Sequence, residues 1–309
     1  MINVLFAGQP ERWSEYAAPL RAAFAARGLS VGLARDHAPE TVDYVIFSPK
    51  GPLSDFSPYT RCKAVLGLWA GVETIVGNAT LTQPLTRMAD AGLREGMVEW
   101  VTGHVLRYHL GIDAQVAAQT GQWLPVTPPL ARNRSVGILG FGTLGAACAR
   151  ALKALNFDVH GWSRRPRTVP GFQTHSGRSG LHDLLTRSEI LVLLLPETPE
   201  TVDILNAETL TRLPRGARII NPGRGPLIDD EALLAALNSG HIAHATLDVF
   251  RTEPLPAAHP YWAHPNVTVT PHIASETRPD TAAAFIAENI CRSEAGEPLS
   301  NLVDRTAGY

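Results

Sequence analysis

The chain has 309 residues, 45% hydrophobic and 18% charged, which supplies apolar material for about two cored domains. Its 27 basic and 29 acidic residues are interspersed and nearly cancel to a net charge of -2, so no field arises of the kind that draws nucleic acid or an anionic membrane. Cys62, Cys148 and Cys291 are too few and too scattered for a disulfide framework or a cysteine metal site. The short apolar run at the N-terminus lacks a basic flank, and no 18-residue apolar stretch follows, so a cytoplasmic location is expected.

Short apolar runs at residues 4–7, 44–47 and 64–68 predict strands, with helical composition over 16–27 between them, the alternation of an α/β domain with a parallel sheet. Residues 93–120 carry no proline and place Met97, Val101, Val105 and Leu106 at helical spacing, which predicts one long helix. The loop 121–134, with Pro125, Pro128 and Pro129, is the best linker candidate. From Ser135 the pattern is β-α-β: a strand over 136–139, an alanine-rich helix over 143–155 and a strand over 158–162. Further buried strands are predicted at 190–195, 218–221, 245–248 and 267–270, with a helix over 229–238 whose acidic start favours the helix dipole. Six strands alternating with helices make a doubly wound sheet. Residues 279–296 are again helical and are expected to return to the first domain, leaving it discontinuous.

The turn Gly140-Phe141-Gly142-Thr143-Leu144-Gly145 lies between the strand at 136–139 and the helix at 143–155. In that setting the unpaired N–H groups of the helix start point at a pyrophosphate, and the third glycine lets helix and sheet approach closely. An NAD enzyme usually carries an acidic residue about 20 positions after the turn to bind the ribose hydroxyls. Here the second strand ends in Ser163-Arg164-Arg165, without a carboxylate. Two guanidiniums and a hydroxyl suit a 2′-phosphate, so NADP(H) is expected in preference to NAD(H).

Three downstream segments place polar residues at the C-terminal ends of predicted strands, where open α/β sheets bind ligands: residues 221–225, 248–255 and 270–274. Together they offer a cation, a carboxylate and an imidazole. Arg224 can hold two oxygens with a fork that stays charged, and His272 can donate a proton. Glu253 is the candidate partner that favours the protonated ring. His241, His244, His259 and His264 have tempting spacings, but no set of Asp, Glu or Cys accompanies them, so no metal is expected.

The glycine turn, Leu194-Leu195-Pro196-Glu197-Thr198, residues 221–225 and 248–254, and Pro271-His272 resemble the D-isomer-specific 2-hydroxyacid dehydrogenase family. The likeness is close from 135 to about 278 and extends over nearly the whole chain. It implies two Rossmann-like domains with doubly wound parallel sheets and a cleft between them. The substrate domain would comprise residues 1–98 and 284–309, and the NADP-binding domain 99–283. It implies direct hydride transfer in an NADPH-dependent reductase of small 2-oxo acids, of glyoxylate or hydroxypyruvate type, with Arg224, Glu253 and His272 as the catalytic set. Asp248 would bind the nicotinamide carboxamide, Leu195, Pro196 and Pro222 would line the nicotinamide, and Gly223 and Ala274 would belong to the same cofactor wall. A loop containing Trp69, Ala70 and Gly71 would hold the substrate carboxylate beside Arg224 and His272. A homodimer through the cofactor domains would complete the assembly.

The sequence departs from this pattern in two places. Gly223 stands where the family often has alanine and is expected to loosen the backbone beside Arg224. Trp69 puts a large ring where a small residue is usual, leaving open a bulkier substrate or a ring that packs between domains. Phe47 and Lys50 are candidate pocket-edge residues. A dinucleotide-sensing, corepressor-like protein is the alternative from another class. The intact Arg224, Glu253 and His272 favour the enzyme, and Glu253 argues against the formate branch, which has glutamine there.

Overall fold

The computed structural model describes residues 1–306 and 308 and divides into two compact units, Met1–Arg94 with Glu276–Tyr309, and Glu95–Ser275. The first unit is built on β1 (Ile2–Ala7), α1 (Trp13–Ala26), β2 (Val31–Ala34), β3 (Tyr44–Phe47), β4 (Ala64–Gly67) and β5 (Leu85–Thr86). All strand pairs in its sheet are parallel, in the order β2-β1-β3-β4-β5. Strands β3 and β4 are buried along their whole length, which explains their unbroken apolar sequences. The edges were not read from the sequence: β2 is largely half-buried and β5 has only two residues. The C-terminal helix Pro279–Glu294 buries Ala282, Ala283, Ile286, Ala287 and Ile290 beside Tyr16, Leu20 and Phe24 of α1, so the chain's end completes the unit its beginning started.

The first two helices after β5 are α2 (Ala91–Leu110) and α3 (Ile112–Ala117). The single helix expected over 93–120 is therefore broken. Gly111 takes the left-handed conformation, φ +67°, which ends a helix at little steric cost to a residue without Cβ. Beyond the break the surface is apolar: Ile112, Val116, Val126 and Leu130 are exposed, and Trp123 is 93% exposed.

The second unit continues with β6 (Ser135–Leu139), α4 (Thr143–Ala154), β7 (Asp158–Ser163), β8 (Gln173–Ser176), α5 (Gly177–Arg187) and β9 (Ile190–Leu193). It is completed by α6 (Ala207–Leu210), β10 (Ala217–Asn221), α7 (Asp230–Asn238), β11 (Ile242–Leu247) and β12 (Val267–Val269). The parallel sheet runs β12-β11-β10-β9-β6-β7-β8, the doubly wound order of a Rossmann fold with one added strand. Seven strands appear where six were expected, because β8, Gln-Thr-His-Ser, is a polar edge strand without a buried apolar run. Sequence order reverses between β6 and β9, and the bond from Leu194 N–H to the Leu139 carbonyl at 2.7 Å keeps their C-terminal ends together. That switch point is where such sheets take ligands.

Candidate active site on the rim of the second sheet

The glycine turn follows β6. Gly140 has φ +100°, and a Cβ there would lie 2.4 Å from the Leu194 carbonyl oxygen, so both conformation and space demand glycine. The N–H groups of Gly140 and Phe141 each donate to the Trp162 carbonyl at 3.0 Å, tying the turn to β7, and the Phe141 ring is buried. These two residues thus build the turn. The N–H groups of Gly142, Thr143, Leu144 and Gly145 have no recorded acceptor among the described residues, and no side chain caps α4. A Cβ at Gly142 would meet nothing within 4 Å. Unpaired donors, open space and the positive end of a helix dipole together fit a phosphate group.

At the end of β7, Ser163 Oγ donates to the Arg165 carbonyl at 2.8 Å. Arg164 is half-buried, 3.5 Å from Glu200, and Arg165 is exposed. The strand end presents guanidiniums and no carboxylate of its own, a donor set suited to a further phosphate. Leu195 and Pro222, following β9 and β10, are buried, and Pro196 is half-buried.

The loop after β10 is folded around a side chain. Asn221 Oδ1 accepts the Gly223 N–H at 3.0 Å, Asn221 Nδ2 donates to the Arg224 carbonyl at 2.9 Å, and Arg224 Nη1 donates to the Gly223 carbonyl at 2.6 Å. Gly223 does not loosen this backbone as expected. It is buried, and a Cβ there would lie 2.9 Å from the Leu193 carbonyl oxygen, so glycine permits a close approach to β9. Gly225 is tighter still: its Cβ would fall 2.0 Å from the Phe250 carbonyl carbon, so this glycine lets the Arg224 loop press on the segment carrying Glu253.

Asp248, fully buried at the end of β11, organises the last loop. Its Oδ1 accepts from Thr270 Oγ1 at 2.6 Å and Ile273 N–H at 2.9 Å, its Oδ2 accepts from Ala274 N–H at 2.8 Å, and its carbonyl accepts from His272 N–H at 2.8 Å. Within this cage His272 adopts φ +56°, an uncommon conformation for a residue with a Cβ. Its Nδ1 lies 2.8 Å from Glu253 Oε2, while Glu253 Oε1 accepts the Phe250 N–H at 3.0 Å. Burial pushes the Glu253 carboxyl up, but its bonds to His272 and the Phe250 N–H, with the charges of His272 and Arg224, outweigh this and hold it below the usual range. With Nδ1–H donated to a carboxylate, Nε2 remains to carry a transferable proton.

Sequence reasoning missed Asn221 as the brace of the arginine loop and Asp248 as the anchor of the histidine loop. The signal available was position: each ends a buried strand with a polar residue that a core would otherwise reject.

The first unit has a rim of its own. After β4, Leu68 N–H donates to the Phe47 carbonyl at 2.8 Å, Met88 N–H donates to the Trp69 carbonyl at 2.9 Å, and Thr277 Oγ1 donates to the Leu68 carbonyl at 2.8 Å. The N–H groups of Ala70, Gly71 and Val72 have no recorded acceptor among the described residues. Trp69 is half-buried and packs on the core of its own unit, and Phe47 is buried in the opposite layer of that unit. Among the described residues, no helix is long and apolar enough to cross a membrane, and no three His, Cys, Asp or Glu side chains gather as metal ligands would.

A doubly wound sheet with this glycine turn and an Arg, Glu and His rim defines a dinucleotide-linked dehydrogenase. The family model described as "D-isomer specific 2-hydroxyacid dehydrogenase, NAD binding domain" matches residues 104–274, and the chain belongs to this family. Glyoxylate/hydroxypyruvate reductase A of Serratia proteamaculans is 42% identical over 81% of this chain and 82% of its own length. A D-isomer specific 2-hydroxyacid dehydrogenase from Xanthobacter autotrophicus, solved with NADPH and MES, superposes with TM-score 0.92 at 44% identity, covering 100% of this chain and 99% of that one. The NADPH-dependent glyoxylate/hydroxypyruvate reductase of Sinorhizobium meliloti, solved with NADP and sulfate, gives TM-score 0.88 at 33% identity over 100% of both chains.

Proposed function

We propose that the chain reduces small 2-oxo acids, of glyoxylate or hydroxypyruvate type, to D-2-hydroxy acids with NADPH. The observation that carries this reading is the His272–Glu253 pair at 2.8 Å, with the Arg224 charge acting on the same carboxylate. The names of the relatives support the substrate class, and the two solved relatives, which hold NADPH or NADP, support the cofactor.

In this reading the amides of Gly142 to Gly145 take the pyrophosphate, Ser163, Arg164 and Arg165 take the 2′-phosphate, and Leu195, Pro196 and Pro222 line the nicotinamide, with Gly223, Asp248 and Ala274 beside them. The nicotinamide, when bound, supplies a hydride to the carbonyl carbon. The free N–H groups of Ala70 and Gly71 bind the substrate carboxylate. Arg224 binds and polarises the carbonyl, drawing negative charge toward its oxygen. His272 gives that oxygen its Nε2 proton, and Glu253 stabilises and orients the ring while it is charged. A sensor without turnover has no use for this proton donor.

The exposed apolar side chains between residues 112 and 130, Ile112, Val116, Trp123, Val126 and Leu130, support a homodimer formed through the second unit. Buried free Cys62 and Cys148 suit a cytoplasmic protein. The test is NADPH consumption with glyoxylate, hydroxypyruvate and pyruvate, repeated with NADH. Turnover of at least one acid and a higher kcat/KM for NADPH are expected. No turnover with any of the three would refute the reductase reading, and a preference for NADH would refute the cofactor reading.

A further inference from the structure

The first unit's rim carries a cation, Lys50, to which the proposed reaction assigns no role. Lys50 sits in the turn after β3, where Gly51 N–H donates to the Ser48 carbonyl at 2.8 Å. The turn is pinned: a Cβ on Gly51 would fall 2.1 Å from the Ala7 carbonyl oxygen, so it lies hard against the end of β1. Lys50 Nζ lies 5.8 Å from the centre of the Trp69 ring, which rises from the neighbouring strand end. An aromatic face holds an ammonium in place without neutralising it.

The chain contains only three lysines. Lys63 pairs with Glu294 at 2.7 Å, and Lys153 bonds the Gly171 carbonyl and covers Phe172. Lys50 has no recorded carboxylate partner among the described residues, although 29 acidic residues are available in the chain. Trp69 is also the residue next to Ala70 and Gly71, whose free N–H groups are read above as the carboxylate cradle.

We infer that Lys50, propped on Trp69, is a specificity residue that selects 2-oxo acids carrying a second anionic group at the end remote from the reacting carbonyl. This rests on the proposed reductase activity and narrows its substrate class. An acid with a neutral tail leaves the ammonium without a partner, whereas a tail ending in carboxylate or phosphate gives it one.

The experiment compares substrates matched in carbon count and differing in terminal charge: 2-oxobutanoate with oxaloacetate, 2-oxopentanoate with 2-oxoglutarate, and hydroxypyruvate with its 3-phosphate. The readout is the anionic-to-neutral ratio of kcat/KM in wild type, Lys50→Met and Lys50→Glu. Wild type should favour the anionic member of at least one pair by about tenfold, Lys50→Met should remove that preference, and Lys50→Glu should reverse it. Raising the salt concentration should shrink the wild-type ratio and leave the Lys50→Met ratio flat. Which pair responds separates a carboxylate from a phosphate. A wild-type ratio favouring neutral tails in every pair, or a ratio unmoved by both substitutions, would overturn the inference. Turnover of glyoxylate by wild type in either case shows that the reductase reading stands independently. Lys50 is exposed in a surface turn, so both variants should fold as wild type.

Discussion

The two rims are built differently. In the second unit the two loops that carry Arg224 and His272 are each folded around a buried polar side chain: Asn221 holds the arginine loop and Asp248 the histidine loop. In the first unit the loops after β3 and β4 are held mainly by main-chain bonds and close packing, as between Leu68 and Phe47 or Gly51 and Ala7, with Thr277 Oγ1 bracing the Leu68 carbonyl from outside the loop. Side-chain wiring fixes where a reacting group stands, because removing one bond leaves a buried atom unpaired. Main-chain anchoring leaves an exposed side chain such as Lys50 replaceable without loss of the loop. On the readings proposed above, chemistry would belong to the wired rim and selectivity to the other.

Three measurements press on that contrast. The largest effect is expected from His272→Asn, since asparagine tolerates the left-handed backbone that His272 adopts and removes only the acid. Its kcat should fall by about 10²–10⁴-fold while NADPH binding, followed by fluorescence titration, holds steady. A loss of less than tenfold would mean that the wired rim does not house the proton donor.

Asp248→Asn tests the wiring itself. Asparagine keeps one acceptor oxygen, but its amide nitrogen cannot accept, so either the Ala274 N–H or the Thr270 hydroxyl and Ile273 N–H lose their partner. A stability loss of about 1–3 kcal/mol is expected by denaturant titration. The kcat should fall roughly 10²-fold as the ring moves off line. Wild-type values for both would show the cage to be dispensable.

The smallest effect concerns the strand beneath that rim. Burial depresses His244 of β11 from an ordinary 6.5 to about 4, with the Arg107 charge adding to it, and burial depresses His104, His109 and His175 in the same direction. The sign follows from proton uptake. Between pH 6.5 and 4 the unfolded chain takes a proton on His244 that the folded chain refuses, so stability falls across this window and is level above it. Thermal unfolding should show Tm dropping as pH is lowered from 7 to 5, with a shallower drop in His244→Gln. Equal slopes would remove His244 from the account.

The contrast also explains what could be read from the chain alone. Buried strands such as β3, β4 and β9 announce themselves as unbroken apolar runs, and the parallel α/β class follows from their alternation with helices. The edge strands β2, β5 and β8 do not, since short or half-wet strands need no such run. Arg224, Glu253 and His272 were legible because a resemblance supplied their roles and their segments end predicted strands. In the folded chain Glu253 and His272 are in contact. The position of Asn221 and Asp248 at strand ends could be seen, but not what they bond: Asn221 closes a tight local turn and Asp248 reaches a loop more than twenty residues away. Gly223 was misread because the neighbour it accommodates is a carbonyl on another strand.

Gly140 and Gly225 carry a consequence for mutational scanning. Neither has an atom that reacts, yet any side chain at either position collides with fixed backbone. In a scan scored by growth or turnover, both would look as indispensable as His272. Scored by cellular abundance they would part company, the glycine variants vanishing as protein and the histidine variants persisting as inert, full-length chains.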